Sequence, residues 1–271
     1  MHTRPIPSSQ EALPVVGCGT WQTFDRPPGE RGPLVEVLQV LFDAGGSVID
    51  SSPMYGRSEA AVGDVLGRIG GRDKAFLATK VWTTGRDAGV AQMRQSMQRL
   101  GDETIDLMQV HNLVDVETHL ATLADWKREG RVRYVGVTHY TSSGYPALEA
   151  VLRRHHLDFV QLDYSAVSRE VERTLLPLAA ERGVAVLVNQ PFGGGGLIRR
   201  LSTRPLPPFA AEIGCSSWAQ LLLKFLLGHP AVTCVIPGTG KPEHMRDNIQ
   251  AGMGEWPDAP LRERIALAAA S

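Results

Sequence analysis

The chain has no excess of charge of either sign, since 28 Lys and Arg stand against 29 Asp and Glu among its 271 residues. A protein with so little net charge has no global field to hold it on nucleic acid or on an anionic membrane. The sequence also lacks any apolar run near the roughly 20 residues of a bilayer-spanning helix, and its start, MHTRPIPSSQ, lacks the apolar core of a signal peptide. We therefore expect a soluble, cytoplasmic protein whose partner is a small molecule.

Cysteine is scarce, and the three residues Cys18, Cys215 and Cys234 form neither a C-x-x-C pair nor a zinc-ligand spacing. An odd number of isolated cysteines is typical of buried, inert thiols in a reducing compartment. The adjacent His155 and His156 have no metal-ligand pattern beside them and indicate a solvated helix end. We expect no metal.

What the sequence does contain is a regular alternation of short, β-rich apolar runs with amphipathic stretches that suit helices, which is typical of βαβ units around a parallel sheet. Helices are predicted from segments such as PLVEVLQVLFDAG, EAAVGDVLGRIG, GVAQMRQSMQRLG, THLATLADWKREG, SWAQLLLKFLLGH and PEHMRDNIQAGM, with Ser58 as the N-cap of the second. The eight predicted strands cover residues 14–19, 47–50, 75–80, 105–111, 132–139, 158–164, 184–190 and 232–237.

Eight strands alternating with helices predict an α/β fold, a (β/α)8 TIM barrel that forms one domain over residues 1–271, with its active site on the loops at the carboxyl ends of the strands. A doubly wound open sheet is the alternative. Its dinucleotide fingerprint G-x-G-x-x-G is not met by GCGTWQ, where Gln22 stands at the last glycine position, and GTGKP at 238–242 is not a P-loop. The barrel is therefore favoured.

Ionisable side chains end three consecutive predicted strands: Asp50, Lys80 and His111, with Tyr55 on the loop after the first. Such residues on the catalytic face of a barrel indicate chemistry more than packing. A phenol titrates near pH 10, so a neighbouring cation such as Lys80 is needed to make its phenolate accessible, and Asp50 keeps that cation charged. Neutral His111 can donate a hydrogen bond to a substrate oxygen. Together these groups suit proton donation to a carbonyl oxygen during reduction.

The sequence resembles the aldo-keto reductases, which are NAD(P)(H)-dependent (β/α)8-barrel oxidoreductases. The resemblance rests on motifs in family order along nearly the whole chain: GCGTW, the Asp-x4-Tyr motif that runs from Asp50 to Gly56, ATKVW, DLMQVHN, GVTHY, QLDYS and IPGTGKPEHMRDN. It implies a catalytic tetrad of Asp50, Tyr55, Lys80 and His111, in which Tyr55 is the general acid in reduction and the general base in oxidation.

The resemblance also implies NADP(H) as cofactor, with NAD(H) as the alternative, because Gly238 and His244 replace the Lys and Arg that often face the 2'-phosphate. Lys241, Arg246 and Thr239 remain nearby as phosphate ligands. The residues carried over as cofactor contacts are Gly19, Thr20, Trp21, Thr138, His139, Gln161, Asn189, Gln190, Phe192, Gly194, Gly238, Thr239, Lys241, His244, Asp247 and Asn248.

The segment at and after the end of the seventh predicted barrel strand also departs from the family pattern. Asn189 stands where an aromatic ring often stacks on the nicotinamide. The run GGGG at 193–196 either lets backbone N–H groups approach the pyrophosphate or serves as a flexible connector.

For the substrate, the resemblance implies that Trp21 and Trp82 flank the carbonyl, and Asn112 adds a polar contact. Phe24 and Met54 are expected to pack within loops. No Arg or Lys cluster is expected to face this pocket, which argues against anionic sugar phosphates.

The predicted function is NAD(P)H-dependent reduction of a small aldehyde or ketone by a monomer. One alternative is a cofactor-binding regulatory subunit with little turnover. Another is a barrel lyase or isomerase that uses Lys80 as a Schiff base, which leaves Tyr55 and His111 without a comparable role.

Overall fold

Eight parallel strands follow one another in sequence order around a single sheet in the computed structural model, which describes all 271 residues. Parallel bridges between Val16 and Val235 and between Gly19 and Gly238 join the first of these strands to the last, so the sheet curls into the predicted (β/α)8 barrel. Two strands precede the barrel, β1 (Thr3–Pro5) and β2 (Ala12–Pro14). The barrel strands are β3 (Cys18–Gly19), β4 (Val48–Asp50), β5 (Phe76–Val81), β6 (Ile105–His111), β7 (Val132–His139), β8 (Phe159–Asp163), β9 (Ala185–Asn189) and β10 (Cys234–Val235).

The antiparallel hairpin of β1 and β2 was not predicted from the sequence. Its strands are three residues long and each contains a proline, a composition that is typical of loops. The hairpin buries Ile6 and Leu13 completely or nearly so, against the amino-end residues of the barrel interior. It therefore closes the amino end of the barrel.

Helices fill the connections between the barrel strands and also follow the last strand. They are α1 (Gly32–Asp43), α2 (Ser58–Ile69), α3 (Arg86–Leu100), α4 (Val116–Arg128), α5 (Tyr145–Arg154), α6 (Leu175–Arg182), α7 (Gly196–Leu201), α8 (Trp218–Leu227), α9 (Pro242–Ile249) and α10 (Ala259–Ala270). The six helical segments quoted above fall on α1 to α4, α8 and α9. Helices α2 and α3 end at Gly70 and Gly101, whose positive φ angles are readily adopted only by glycine.

Two separate hydrophobic cores result from the period-two alternation of side chains along each strand. A core of 65 buried residues lies mainly between the strands and the helices, and a smaller core of 12 lies inside the barrel and under the hairpin. Along six of the eight strands, the inward-facing residue is apolar near the amino end and becomes polar two or four positions later. This change from apolar to polar places the functional groups at the carboxyl end: Val48 leads to Asp50, Phe76 to Lys80, Leu107 to His111, Tyr134 to Thr138, Phe159 to Gln161, and Leu187 to Asn189.

Candidate active site

A cavity of about 1000 Å³ opens at the carboxyl ends of the strands, as expected for this fold. It brings together most of the residues singled out in the sequence. Lys80 is fully buried and does not line it. The predicted residues that line the cavity are Gly19, Thr20, Trp21, Asp50, Tyr55, Trp82, His111, Asn112, Thr138, Gln161, Asn189, Gln190, Phe192, Gly194, Gly238, Thr239, His244, Asp247 and Asn248.

A buried ion pair underlies the cavity. The Lys80 Nζ donates to Asp50 Oδ2 at 2.7 Å and to the Ser51 carbonyl at 2.7 Å. Burial alone would lower the pKa of Lys80, but the Asp50 carboxylate and the Tyr55 phenol more than offset it, so that the pKa is raised. The ion pair therefore favours the charged form of Lys80, and this disfavours its use as a neutral Schiff-base amine.

Tyr55 is carried over this pair by a short turn. Its N–H donates to the Ser52 carbonyl at 3.0 Å, and its own carbonyl accepts from Ser58 Oγ at 2.7 Å. The Ser58 hydroxyl therefore fixes the turn. The sequence predicted Ser58 to be the N-cap of α2, but Ser58 is the first residue of the helix. Arg57 holds the N-cap position, and no side chain caps the helix there. The Lys80 Nζ lies 5.0 Å from the centroid of the Tyr55 ring.

The pKa of Tyr55 differs in sign from the sequence-based expectation. Burial raises it, and the Lys80 ammonium offsets only part of this rise, while the Asp50 carboxylate adds to it. The phenol is consequently protonated at neutral pH. That is the form required of a proton donor.

His111 faces Tyr55 at the end of β6, with 6.1 Å between the ring centroids. Burial, the Lys80 cation and His139 together lower the pKa of His111 to about 3. The imidazole is therefore neutral at ordinary pH, as expected, and one ring nitrogen carries a proton. Its Nδ1 lies 3.3 Å from Ser52 Oγ, a contact that ties the histidine to the Tyr55 turn.

Buried amides complete the surroundings of Asp50. Its Oδ1 accepts from Gln161 Nε2 at 2.7 Å and from Gln109 Nε2 at 3.3 Å, and Asn189 Nδ2 donates to Gln161 Oε1 at 3.4 Å. Gln109 was not singled out in the sequence, although it lies two residues before His111 on the same face of β6. The Gln161 amide nitrogen, expected at the cofactor carboxamide, here donates to Asp50.

Two residues carried over as cofactor contacts do not line the cavity. His139 follows inward-facing Thr138 directly, so its side chain has the opposite parity and lies against Gly144. Lys241 is exposed outside the cavity. Arg246, proposed from the sequence as a phosphate ligand, instead donates to Glu36 on α1.

One part of the cavity is lined by Arg204, Ser217, Trp218 and Asp247 and is called the cofactor arm below. It carries one basic residue that the sequence did not reveal. Arg204, on the segment after α7, is the only Arg or Lys among the lining residues. Its guanidinium donates to the Ser271 carbonyl at 2.8 Å. Across this arm, Asp247 accepts hydrogen bonds from Ser217 Oγ at 2.7 Å and Gln220 Nε2 at 2.6 Å.

Large, partly exposed side chains form the other wall. Trp21, Trp82 and Met54 are 46%, 42% and 42% exposed and line the cavity together with Tyr140. Phe24 is completely buried, in agreement with its predicted packing role, but Met54 faces the cavity rather than packing within its loop.

The cysteines are free and buried, as predicted. Burial raises the pKa of the Cys18 thiol to about 12 and that of Cys215 to about 11. No cluster of three or more His, Cys, Asp or Glu side chains has the arrangement of a metal site. No helix is both long enough and apolar enough to cross a membrane.

Comparison with known proteins identifies the family to which the chain belongs. The sequence model of the Aldo/keto reductase family matches residues 15–259, and the chain belongs to that family. It is 29% identical over 255 residues to an aldo-keto reductase of Strobilurus tenacellus, covering 80% of this chain and 75% of that one. It is 27% identical over 248 residues to methylglyoxal reductase YeaE of Escherichia coli, covering 89% and 86%.

Solved structures agree on the fold. An aldo/keto reductase from Klebsiella pneumoniae, crystallised with NADP and acetate, superposes with a TM-score of 0.79 at 24% identity, covering 99% of this chain and 96% of that one. The holo form of an aldo-keto reductase from Bacillus halodurans gives 0.79 at 22% identity with the same coverage.

Proposed function

We propose that the protein is an NADP(H)-dependent oxidoreductase that reduces the carbonyl of a small aldehyde or ketone to the alcohol. The observation that carries the proposal is the placing of Tyr55 and His111 at the cavity floor above the buried Lys80–Asp50 pair. These four groups supply a proton donor, a neutral hydrogen-bond donor and a fixed positive charge within one site.

In this proposal the phenol of Tyr55 protonates the carbonyl oxygen as negative charge develops on it. Because its pKa is raised, the group holds its proton at neutral pH, and the Lys80 cation stabilises the phenolate left behind. Neutral His111 donates a hydrogen bond that orients the same oxygen. The same groups would serve the reverse reaction, alcohol oxidation, with Tyr55 as the general base once it has lost its proton.

A reduced nicotinamide would supply the hydride, and the cavity contains polar atoms suited to its carboxamide. Asn112 Oδ1 and Asn189 Oδ1 are buried and have no hydrogen-bond partner in the chain. Both residues line the cavity, and unpaired buried acceptors are costly unless a ligand N–H satisfies them. A carboxamide NH2 would supply such a donor to Asn189, whose amide lies beside Gln161, while Asn112 directly follows His111 and stays a proposed contact for the substrate. Asn189 would thus hydrogen-bond where relatives often stack an aromatic ring.

The phosphates would lie along the arm that carries Arg204. Gly194 and Gly195 have positive φ angles of 61° and 87° and line the cavity, so their backbone can approach a ligand closely. Thr239 and His244 also line the cavity, and Arg204 is its one Arg or Lys side chain. This set would hold a 2'-phosphate in place of the missing Lys and Arg, which is why we favour NADP(H) over NAD(H).

Steady-state oxidation of NADPH and NADH with a panel of aliphatic and aromatic aldehydes tests the proposal, with cofactor binding measured in parallel by fluorescence. We expect turnover with several aldehydes and a preference for NADPH. Saturable cofactor binding without turnover of any aldehyde or ketone would instead indicate the regulatory-subunit role.

A further inference from the structure

The wall residue Trp82 is held by its main chain rather than by its ring. Its N–H donates to Gln92 Oε1 at 2.6 Å, and its carbonyl accepts from Gln92 Nε2 at 3.2 Å. A single amide side chain on α3 therefore satisfies both polar groups of the Trp82 backbone. The indole itself is 42% exposed and faces the cavity.

The rest of this loop is tied to the element that follows His111. His119 Nε2 donates to the Thr83 carbonyl at 2.7 Å, and the Gly85 N–H donates to Asp115 Oδ2 at 2.7 Å. Side chains of α3 and of the start of α4 therefore bind residues 82–85 from two sides. Four side-chain hydrogen bonds thus hold the main chain of this loop.

Beside this loop, helix α3 packs tightly against the buried His119. His119 is completely buried, and a Cβ built on Gly89 of α3 would lie 2.5 Å from its ring. Helix α3 therefore contacts the histidine closely, one turn before Gln92. The side chain of Gln92 is then the part of α3 that reaches the Trp82 backbone.

We propose that Gln92 is a positioning residue that sets substrate selectivity by fixing the Trp82 backbone, so that the indole forms a rigid wall beside the reacting carbonyl. The proposal rests on the function proposed above. A wall of this kind stabilises large, flat substrates that contact it, and contributes little to small ones that do not reach it. Gln92 itself touches neither substrate nor cofactor and acts only through Trp82.

Three variants of α3 test it. Gln92→Met keeps the size of the side chain and removes both hydrogen bonds, Gln92→Glu keeps the acceptor for the Trp82 N–H, and Gln98→Met changes an exposed glutamine of the same helix that makes no side-chain hydrogen bond. For Gln92→Met we expect kcat/KM with an aromatic aldehyde such as benzaldehyde to fall about tenfold, mainly through KM, and that with propanal less than about twofold. Gln92→Glu should be intermediate, and Gln98→Met should match the parent.

Two further readouts separate positioning from a general structural role. The dissociation constant for NADPH should be unchanged in Gln92→Met, and the variant should have no further effect on the aromatic substrate in a Trp82→Ala background. An equal loss for both aldehydes, a weaker affinity for NADPH, or full additivity with Trp82→Ala would overturn the proposal.

Amide hydrogen exchange at Trp82 tests the hydrogen bonds between Gln92 and the Trp82 backbone without turnover. Failure of the proposed function therefore does not obscure the result. The Trp82 N–H should exchange at least about tenfold faster in Gln92→Met and retain its protection in Gln92→Glu and Gln98→Met. Unchanged protection in Gln92→Met would show that Gln92 does not hold this backbone.

Discussion

The two ends of the barrel differ in how their buried polar groups are paired. At the amino end, polar groups are paired within the chain: Asp106 accepts from the Leu77 N–H and from Arg133, both at 2.7 Å, and Glu11 accepts from the Tyr134 hydroxyl at 2.6 Å. At the carboxyl end, Asn112 and Asn189 keep buried oxygens without partners. The amino end is complete by itself, while the carboxyl end is left with hydrogen-bonding capacity for a ligand.

The backbone shows the same contrast. Of the six non-glycine residues with positive φ, only Gln10 lies in the amino-end hairpin, and the other five follow strands at their carboxyl ends: Gln22, Asn112, Leu113, Asp115 and Gln190. Such conformations are costly, and they cluster at functional sites because the surrounding structure enforces them there. Stability and function are thus divided between the two ends of one set of strands.

The largest effect is expected from breaking the buried pair at the carboxyl end with Lys80→Met. The variant leaves the Asp50 carboxylate buried without its cation, which should cost about 3–5 kcal/mol in the free energy of unfolding and lower kcat about a thousandfold or more. Urea unfolding and steady-state kinetics measure the two losses.

The double variant Lys80→Met/Asp50→Asn separates them. Without the unpaired charge, most of the stability should return, while kcat stays low because the positive charge beside Tyr55 is still missing. Recovery of kcat together with stability would mean that Lys80 has only a structural role.

At the amino end, Phe159→Ala should show the reverse pattern. The ring is fully buried and packs against Tyr134 and Phe76, with centroid distances of 5.6 and 6.0 Å. Its removal should cost about 3–5 kcal/mol in the free energy of unfolding. At a temperature where the variant remains folded, kcat and KM should change less than about twofold. A large change in either would mean that the two ends are coupled.

The smallest effect concerns the cofactor arm. Arg204→Gln should weaken NADPH binding about fivefold at low salt and NADH binding less, because an exposed charge contact contributes about 1 kcal/mol. Arg246→Gln is the matched control, since its guanidinium bonds Glu36 outside the cavity, and it should leave both affinities unchanged. Fluorescence titration would measure both affinities. A larger loss of NADPH affinity in Arg246→Gln than in Arg204→Gln would indicate that the phosphate lies beside α9 instead.

The sequence allowed the mouth of the barrel to be predicted where strand periodicity and motif agree. Asp50, Lys80 and His111 end neighbouring strands, so a parallel register alone brings them together. The same rule explains why His139 does not line the cavity, since it cannot share the inward face of its neighbour Thr138. It could also have identified Gln109, two positions before His111.

Other features depend on contacts that local sequence does not encode. Arg204 lies on an irregular segment and reaches the cavity only through the path of the chain after α7. The direction of the pKa shift of Tyr55 follows from its burial, which no motif specifies, and the cation alone suggested the opposite sign. The amino-end hairpin was missed because its strands are short and contain proline.

The role of Tyr55 as proton donor at the carboxyl end is tested most directly by Tyr55→Phe. The measurement is kcat for an aldehyde that the parent reduces, together with the dissociation constant for NADPH. We expect kcat to fall about a thousandfold, because the donor is lost, with cofactor affinity changed less than about twofold. A variant that retains most of its turnover, or that loses rate and cofactor affinity in parallel, would contradict this role.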